Sequence, residues 1–281
     1  MVKKKLIVNA DDFGLSPSVN QAILDVFLQG NLTSTTLMVN MPGTEHALAM
    51  ARQYPALSVG LHFCLTEGKA ITGVSSLTDQ AGVFFSRKTL LARCASGQVR
   101  VADIRAEFRA QVDFFSRHQL TLAHIDSHQH AHMTPLVFFA ILSEVNRLQV
   151  PIRLAFSSAP FHLLWQRPVR FFKQGVLRMV TAVYKMMLRV PTNDALISVH
   201  DLGKMQFAVE DYLQLMKQSR GQCVELFIHP YRSGPDLQAL YADSWEAHAE
   251  FIGKCYAEHH VLAVENVLSK FEGEVTTYAK I

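Results

Sequence analysis

The chain has 281 residues, 49% hydrophobic and 18% charged, a balance that supports a sizeable core and excludes disordered and fibrous classes. Its formal net charge of +3 hides an asymmetry: residues 145–193 hold eight Lys or Arg and no Asp or Glu, leaving 19 basic residues against all 24 acidic ones elsewhere. A nucleic-acid-coating protein is therefore excluded, and four scattered cysteines without a CxxC exclude a disulfide framework and a thiolate zinc knuckle.

Residues 5–9 (KLIVN) read as a short buried strand that runs into Asp11-Asp12. Ser16-Pro17 then supplies an N-cap and a first-turn proline, and Val19, Ala22, Ile23, Val26 and Phe27 share one helical face that ends at Gly30. A second unit follows as strand 33–39 and helix 44–53, and a third strand covers 57–62. After a loop insertion at about 67–100 come helix 101–118, strand 122–126, helix 135–148 and strand 152–154. Beyond a basic apolar insertion at about 157–193, helix 207–219, strand 223–228, helix 236–259 and a last strand near 261–264 complete the alternation.

Strands alternating with helices imply a parallel sheet with crossover helices. The pattern fits either a closed or partly closed barrel or an open doubly wound sheet, in one domain spanning 1–281. Only Leu6-Ile7-Val8 follows the lysines at the N-terminus, too short for a signal-peptide core, and no stretch is long enough for a membrane span. The expected compartment is a reducing cytoplasm.

Asp11-Asp12, His62, the Asp126-to-His128 run and His229 each follow a predicted strand directly, where such architectures gather catalytic groups. Asp12, His62 and His128 form a ligand set for a divalent metal, because a catalytic site needs three protein donors and open positions for water and substrate. Asp11 stays free to act as a base. In HIDSHQHAH (124–132) every ionisable residue is at an even position, so an extended strand would project all five from one face. The strand is expected to end near Ser127, with His128 in the site and His130 or His132 orienting it. His229 is the candidate acid.

In this order and spacing, NADDFGLS (9–16), VGLHF (59–63), HIDSHQHAH (124–132) and FIHP (227–230) resemble the YdjC-like carbohydrate deacetylases. The resemblance covers nearly the whole chain and implies an irregular, TIM-like β/α barrel of mostly parallel strands. It implies Asp12, His62 and His128 as metal ligands, Asp11 as general base and His229 as general acid. The reaction so implied is removal of the acetyl group from an N-acetylated sugar, either an N-acetylglucosamine-type oligosaccharide or a lipid-linked sugar. The metal is left open between Zn2+ and Mg2+.

Residues 157–190 fall outside the pattern of the oligosaccharide enzymes. They read as an inserted helix, packed on the barrel or in a homodimer contact, or as an interfacial helix making peripheral contact with anionic lipid. Two alternatives to the deacetylase stay open: a hydrolase of another amide or ester, and a catalytically silent carbohydrate-binding protein.

Overall fold

In the computed structural model, residues 3–155 and 168–281 are described, with the backbone alone over 168–176. Expectations for 157–167 lie outside the described residues. Seven strands form one sheet in which every pairing is parallel. Strand β1 (Lys5–Phe13) lies at its centre, between β2 (Ser34–Leu37) and β6 (Cys223–Ile228). Beyond β2 come β3 (Ser58–Phe63) and β4 (Ile125–Ser127), and beyond β6 comes β5 (Ala195–Ile197). Strand β7 (Glu274–Thr276) pairs with the first residues of β1, below the point where β2 begins.

The sheet curls into a half-barrel. The gap between β4 and β5 is spanned by residues 151–155: Arg153 N–H donates to Ile125 O at 2.9 Å, and the Asn193 carboxamide bonds both the Leu154 backbone and Ala195 O. This segment is the sequence-expected strand 152–154, reduced to a single bridge between Ile125 and Ile152.

Helices cover the outer face. Ser16 caps α1 (Pro17–Leu28) through Val19 N–H, with Pro17 in the first turn, where a missing N–H costs nothing. Then follow α2 (Thr44–Gln53), α3 (Arg87–Ala95), α4 (Val101–Arg117) and α5 (Pro135–Leu148). Next are α6 (Pro168–Met187) and α7 (Val209–Gln218).

The helix expected at 236–259 is two, α8 (Pro235–Leu240) and α9 (Trp245–Leu262), joined by a 3-10 turn. The strand expected near 261–264 is instead the end of α9 and the turn after it. A short apolar run does not distinguish a strand from a buried helical turn. The missed last strand is β7, only three residues long with two of them polar.

Alternation along the strands divides the apolar core from the polar interior. Leu6, Val8 and Ala10 of β1 and Val224, Leu226 and Ile228 of β6 join the main apolar cluster. The opposite face sends Asn9, Asp11, Thr36, His62, Asp126 and Glu225 into the barrel, where all are buried. Gly60 lies between them; a Cβ there would stand 2.5 Å from His124 Nδ1, so only glycine lets β3 approach that ring.

On α6, Tyr184 is buried and stacks on Phe138 of α5, while Met179, Val183 and Met186 are exposed. Among the described residues, no helix is long and apolar enough to cross a membrane.

Candidate active site

Simple alternation would send Asp11 and Asp12 to opposite faces of β1. Pairing with β2 slips there: Ala10 stands opposite Thr35 but Phe13 opposite Leu37, so β1 absorbs one extra residue. Asp12 takes a left-handed backbone at φ 68, a conformation Asp tolerates better than most residues. Both carboxylates thereby turn into the mouth of the barrel. Gly14 completes the turn at φ 94, with no room for a Cβ 2.5 Å from Met38 O.

Asp12 Oδ1 stands 3.2 Å from His62 Nε2 and 3.0 Å from His128 Nδ1, and its Oδ2 accepts from the Tyr231 hydroxyl at 2.6 Å. Each of the three residues offers a donor atom within 4.8 Å of the others, a cluster that could hold a metal ion. Behind His62, Nδ1 lies 2.7 Å from Asp126 Oδ1. Burial pushes His62 down, but the Asp126 and Asp12 carboxylates outweigh it and raise the ring to about 9. Burial opposes Asp12 ionisation, yet His128 and His62 hold its carboxyl well below the usual carboxylate range.

Two other groupings approach ligand spacing, Asp11 with His62 and Asp126, and His200 with His229 and Glu258. In the first, both carboxylates are already bonded to a guanidinium. Arg153 donates to Asp11 through two nitrogens at 2.7 Å each, approaches Asp126 Oδ2 at 2.7 Å and donates to Glu225 Oε1 at 2.6 Å. Burial raises Glu225 despite that contact, whereas Arg153 and His62 depress Asp126 against its own burial. Asp11, Asp126 and Glu225 are three buried carboxylates around one buried arginine, and Asp12 adds a fourth beside His62 and His128, an excess of negative groups that suits a cation.

His229 follows β6. Its Nε2 lies 3.8 Å from Asp11 Oδ2, and its backbone N–H donates to Glu258 Oε2 at 2.7 Å. His200 Nε2 approaches the same Glu258 oxygen at 3.1 Å. Burial lowers the His229 pKa against the nearby Asp11 and Asp12.

All five sequence-expected residues thus come together, and of two expectations around them one holds and one is corrected. The strand expected to end near Ser127 ends there, and the chain turns with Gln129 and His130 at φ 52 and 54, so the five even-numbered residues of 124–132 do not share one face. Neither His130 nor His132 orients His128. His132 bonds Ser127 Oγ and the Arg153 carbonyl, and His130 packs edge-on against Phe227. The far nitrogen of His128 meets Glu67 Oε2 at 2.8 Å.

Arg153 is one of eight cations in residues 145–193, which masks it in the sequence; a lone arginine in the apolar run Ile152 to Leu154 is the signal of a buried partner. Tyr231, two residues beyond His229, carried no comparable signal.

The model of the YdjC-like proteins matches residues 5–268. The chain belongs to the YdjC-like family. Among curated proteins, it is 43% identical over 157 residues to a carbohydrate deacetylase of Geobacillus stearothermophilus, covering 56% of this chain and 62% of that protein. It is 40% identical over 157 residues to a chitooligosaccharide deacetylase of Serratia marcescens, covering 54% of this chain and 60% of that one. The matches therefore span about three fifths of these relatives' lengths. A solved structure from Enterococcus faecalis V583, provisionally described as a cellobiose-phosphate cleavage protein, superposes with a TM-score of 0.76. It covers 99% of this chain and 98% of its own at 24% identity, a likeness of fold that agrees with the expected irregular β/α barrel of this YdjC-like chain.

Proposed function

We propose that this YdjC-like chain is a divalent-metal-dependent carbohydrate N-deacetylase, a hydrolase that releases acetate from an N-acetylated sugar. The observation that carries the reading is the convergence of Asp12, His62 and His128 beside Asp11 and His229. The names of its relatives, carbohydrate and chitooligosaccharide deacetylases, agree with it.

The donor set fits a metal: two imidazoles and one carboxylate match catalytic zinc sites, and magnesium would fit while retaining several waters. Bound there, a divalent ion would polarise the acetyl carbonyl and acidify a water. Tyr231 holds Asp12 through Oδ2, leaving Oδ1 turned toward the two imidazoles. Asp11, fixed by Arg153 and by Asn9 Nδ2 at 2.9 Å, takes the proton of the attacking water. His229, on the other side of Asp11, delivers a proton to the departing sugar nitrogen. Attack forms the acetate C–O bond, the C–N bond breaks, and acetate and a free amine leave.

The substrate we favour is of the N-acetylglucosamine type, as an oligosaccharide or linked to a lipid. Exposed Met179, Val183 and Met186 on α6, in a segment without acids, support peripheral contact with the inner membrane face, which suits the lipid-linked form. Four free cysteines agree with a cytoplasmic setting.

The test strips the protein of metal, reloads it with Zn2+ or Mg2+ and measures acetate released from N-acetylglucosamine oligomers and from a lipid-linked N-acetylglucosamine, beside a His128→Ala control. Acetate that depends on the ion and disappears in the control is expected. Sugar binding without acetate under either ion would replace the enzyme with a silent binding protein.

A further inference from the structure

Three donor atoms do not make a stable metal site unless each ring is held from behind. A neutral imidazole ligates through one nitrogen, and the hydrogen bond on the other sets which nitrogen that is. His62 is held by Asp126 from the neighbouring strand. His128 has no such support from the sheet, because it follows β4 where the chain turns into left-handed residues. Its support comes from Glu67, 61 positions earlier in sequence, whose Oε2 lies 2.8 Å from Nε2.

Glu67 is itself fixed on three sides. Its carbonyl accepts from Asn40 Nδ2 at 2.9 Å and from Cys64 Sγ at 3.3 Å. The Tyr241 hydroxyl, at the end of α8, bonds the carboxylate from the other wall. Burial disfavours its charge, but the contacts with His128 and Tyr241 keep the carboxyl below its ordinary value. Gly68 follows at φ 72, turning the chain away into the 67–100 insertion.

We infer that Glu67 is a positioning residue: it accepts the His128 Nε2–H, leaving Nδ1 as the ligand nitrogen, and so joins the base of the 67–100 insertion and Tyr241 to the metal site. This rests on the metal reading above and adds a residue that acts through His128.

The experiment measures affinity for Co2+ or Zn2+ by competition with a chelator, on purified full-length wild type, Glu67→Ala, Glu67→Gln and Tyr241→Phe. Circular dichroism of the metal-free proteins checks the fold. Glu67→Ala should weaken the ion about 10- to 100-fold, in the range found for such outer contacts, with a changed Co2+ visible spectrum. Glu67→Gln, whose amide oxygen still accepts from Nε2–H, should recover part of that loss. Tyr241→Phe leaves Glu67 in place and should show a smaller loss of the same kind, so the inference can be read even if Glu67→Ala folds poorly.

Wild-type affinity in folded Glu67→Ala, or in Glu67→Gln and Tyr241→Phe together, overturns it, whatever happens to acetate release. A wild type that binds the ion, loses it on Glu67 substitution and yet releases no acetate supports the role of Glu67 and sinks the deacetylase. A wild type that binds no ion overturns both.

Discussion

The two sides of Asp11 are built differently. On the side of the candidate metal ligands, both nitrogens of His62 and both of His128 meet carboxylates, and both oxygens of Asp12 are engaged. On the other side, His229 Nδ1 and Glu258 Oε1 are buried without a hydrogen-bond partner among the described residues, and His229 is tied mainly through its backbone. A ligand must be held in one tautomer and one orientation, whereas a group that passes protons needs a nitrogen left for its substrate. One half of the site is rigid by bonding; the other is placed by packing, with Phe251 and Phe227 edge-on to the His229 ring.

The comparison breaks most severely at Arg153, which serves both halves. Arg153→Met would leave Asp11, Asp126 and Glu225 buried without their cation, and removing one partner of such a cluster costs about 3–5 kcal/mol. The expected result in urea unfolding is a large drop in midpoint. A midpoint equal to wild type would show that the cluster is neutralised some other way.

A smaller effect separates the halves. His229→Gln should lower acetate release by roughly 10²- to 10⁴-fold, the usual worth of a positioned acid, while ion affinity stays at the wild-type level. If ion affinity falls with activity, the division drawn here is wrong.

The mildest test varies pH on metal-free protein. The folded-state pKa of His62 is about 9, above its ordinary 6.5, so the protonated ring stabilises the metal-free fold fully below pH 6.5 and that contribution is lost as pH rises through 9. The thermal midpoint of the metal-free protein should therefore decline between those values. Loading the ion should flatten the decline, since the ion then takes the proton's place.

How much of this was legible in the sequence follows from what each feature depends on. Helix α2 and strand β6 matched their expected ranges because local propensity and punctuation agree with the tertiary fold there. That the five candidate residues would lie close together was legible because each follows a predicted strand, where such architectures gather polar groups. Arg153 and Glu67 were not, because their importance lies in contacts 142 and 61 positions away. The strand's end at Ser127 was legible, but the left-handed backbone of Gln129 and His130 after it was not, because glycine or asparagine usually signals such a turn.

The slip in β1 at Asp11-Asp12 bears on how the sequence can vary. Without the extra residue that β1 carries between Ala10 and Phe13, plain alternation would set the two acids on opposite sides of the sheet. One would be driven under the helices as an unpaired charge. Substitutions on either side of the motif are therefore better tolerated than any change in its length, and the spacing between Ala10 and Phe13 is a stricter signature of this site than the identity of most residues around it.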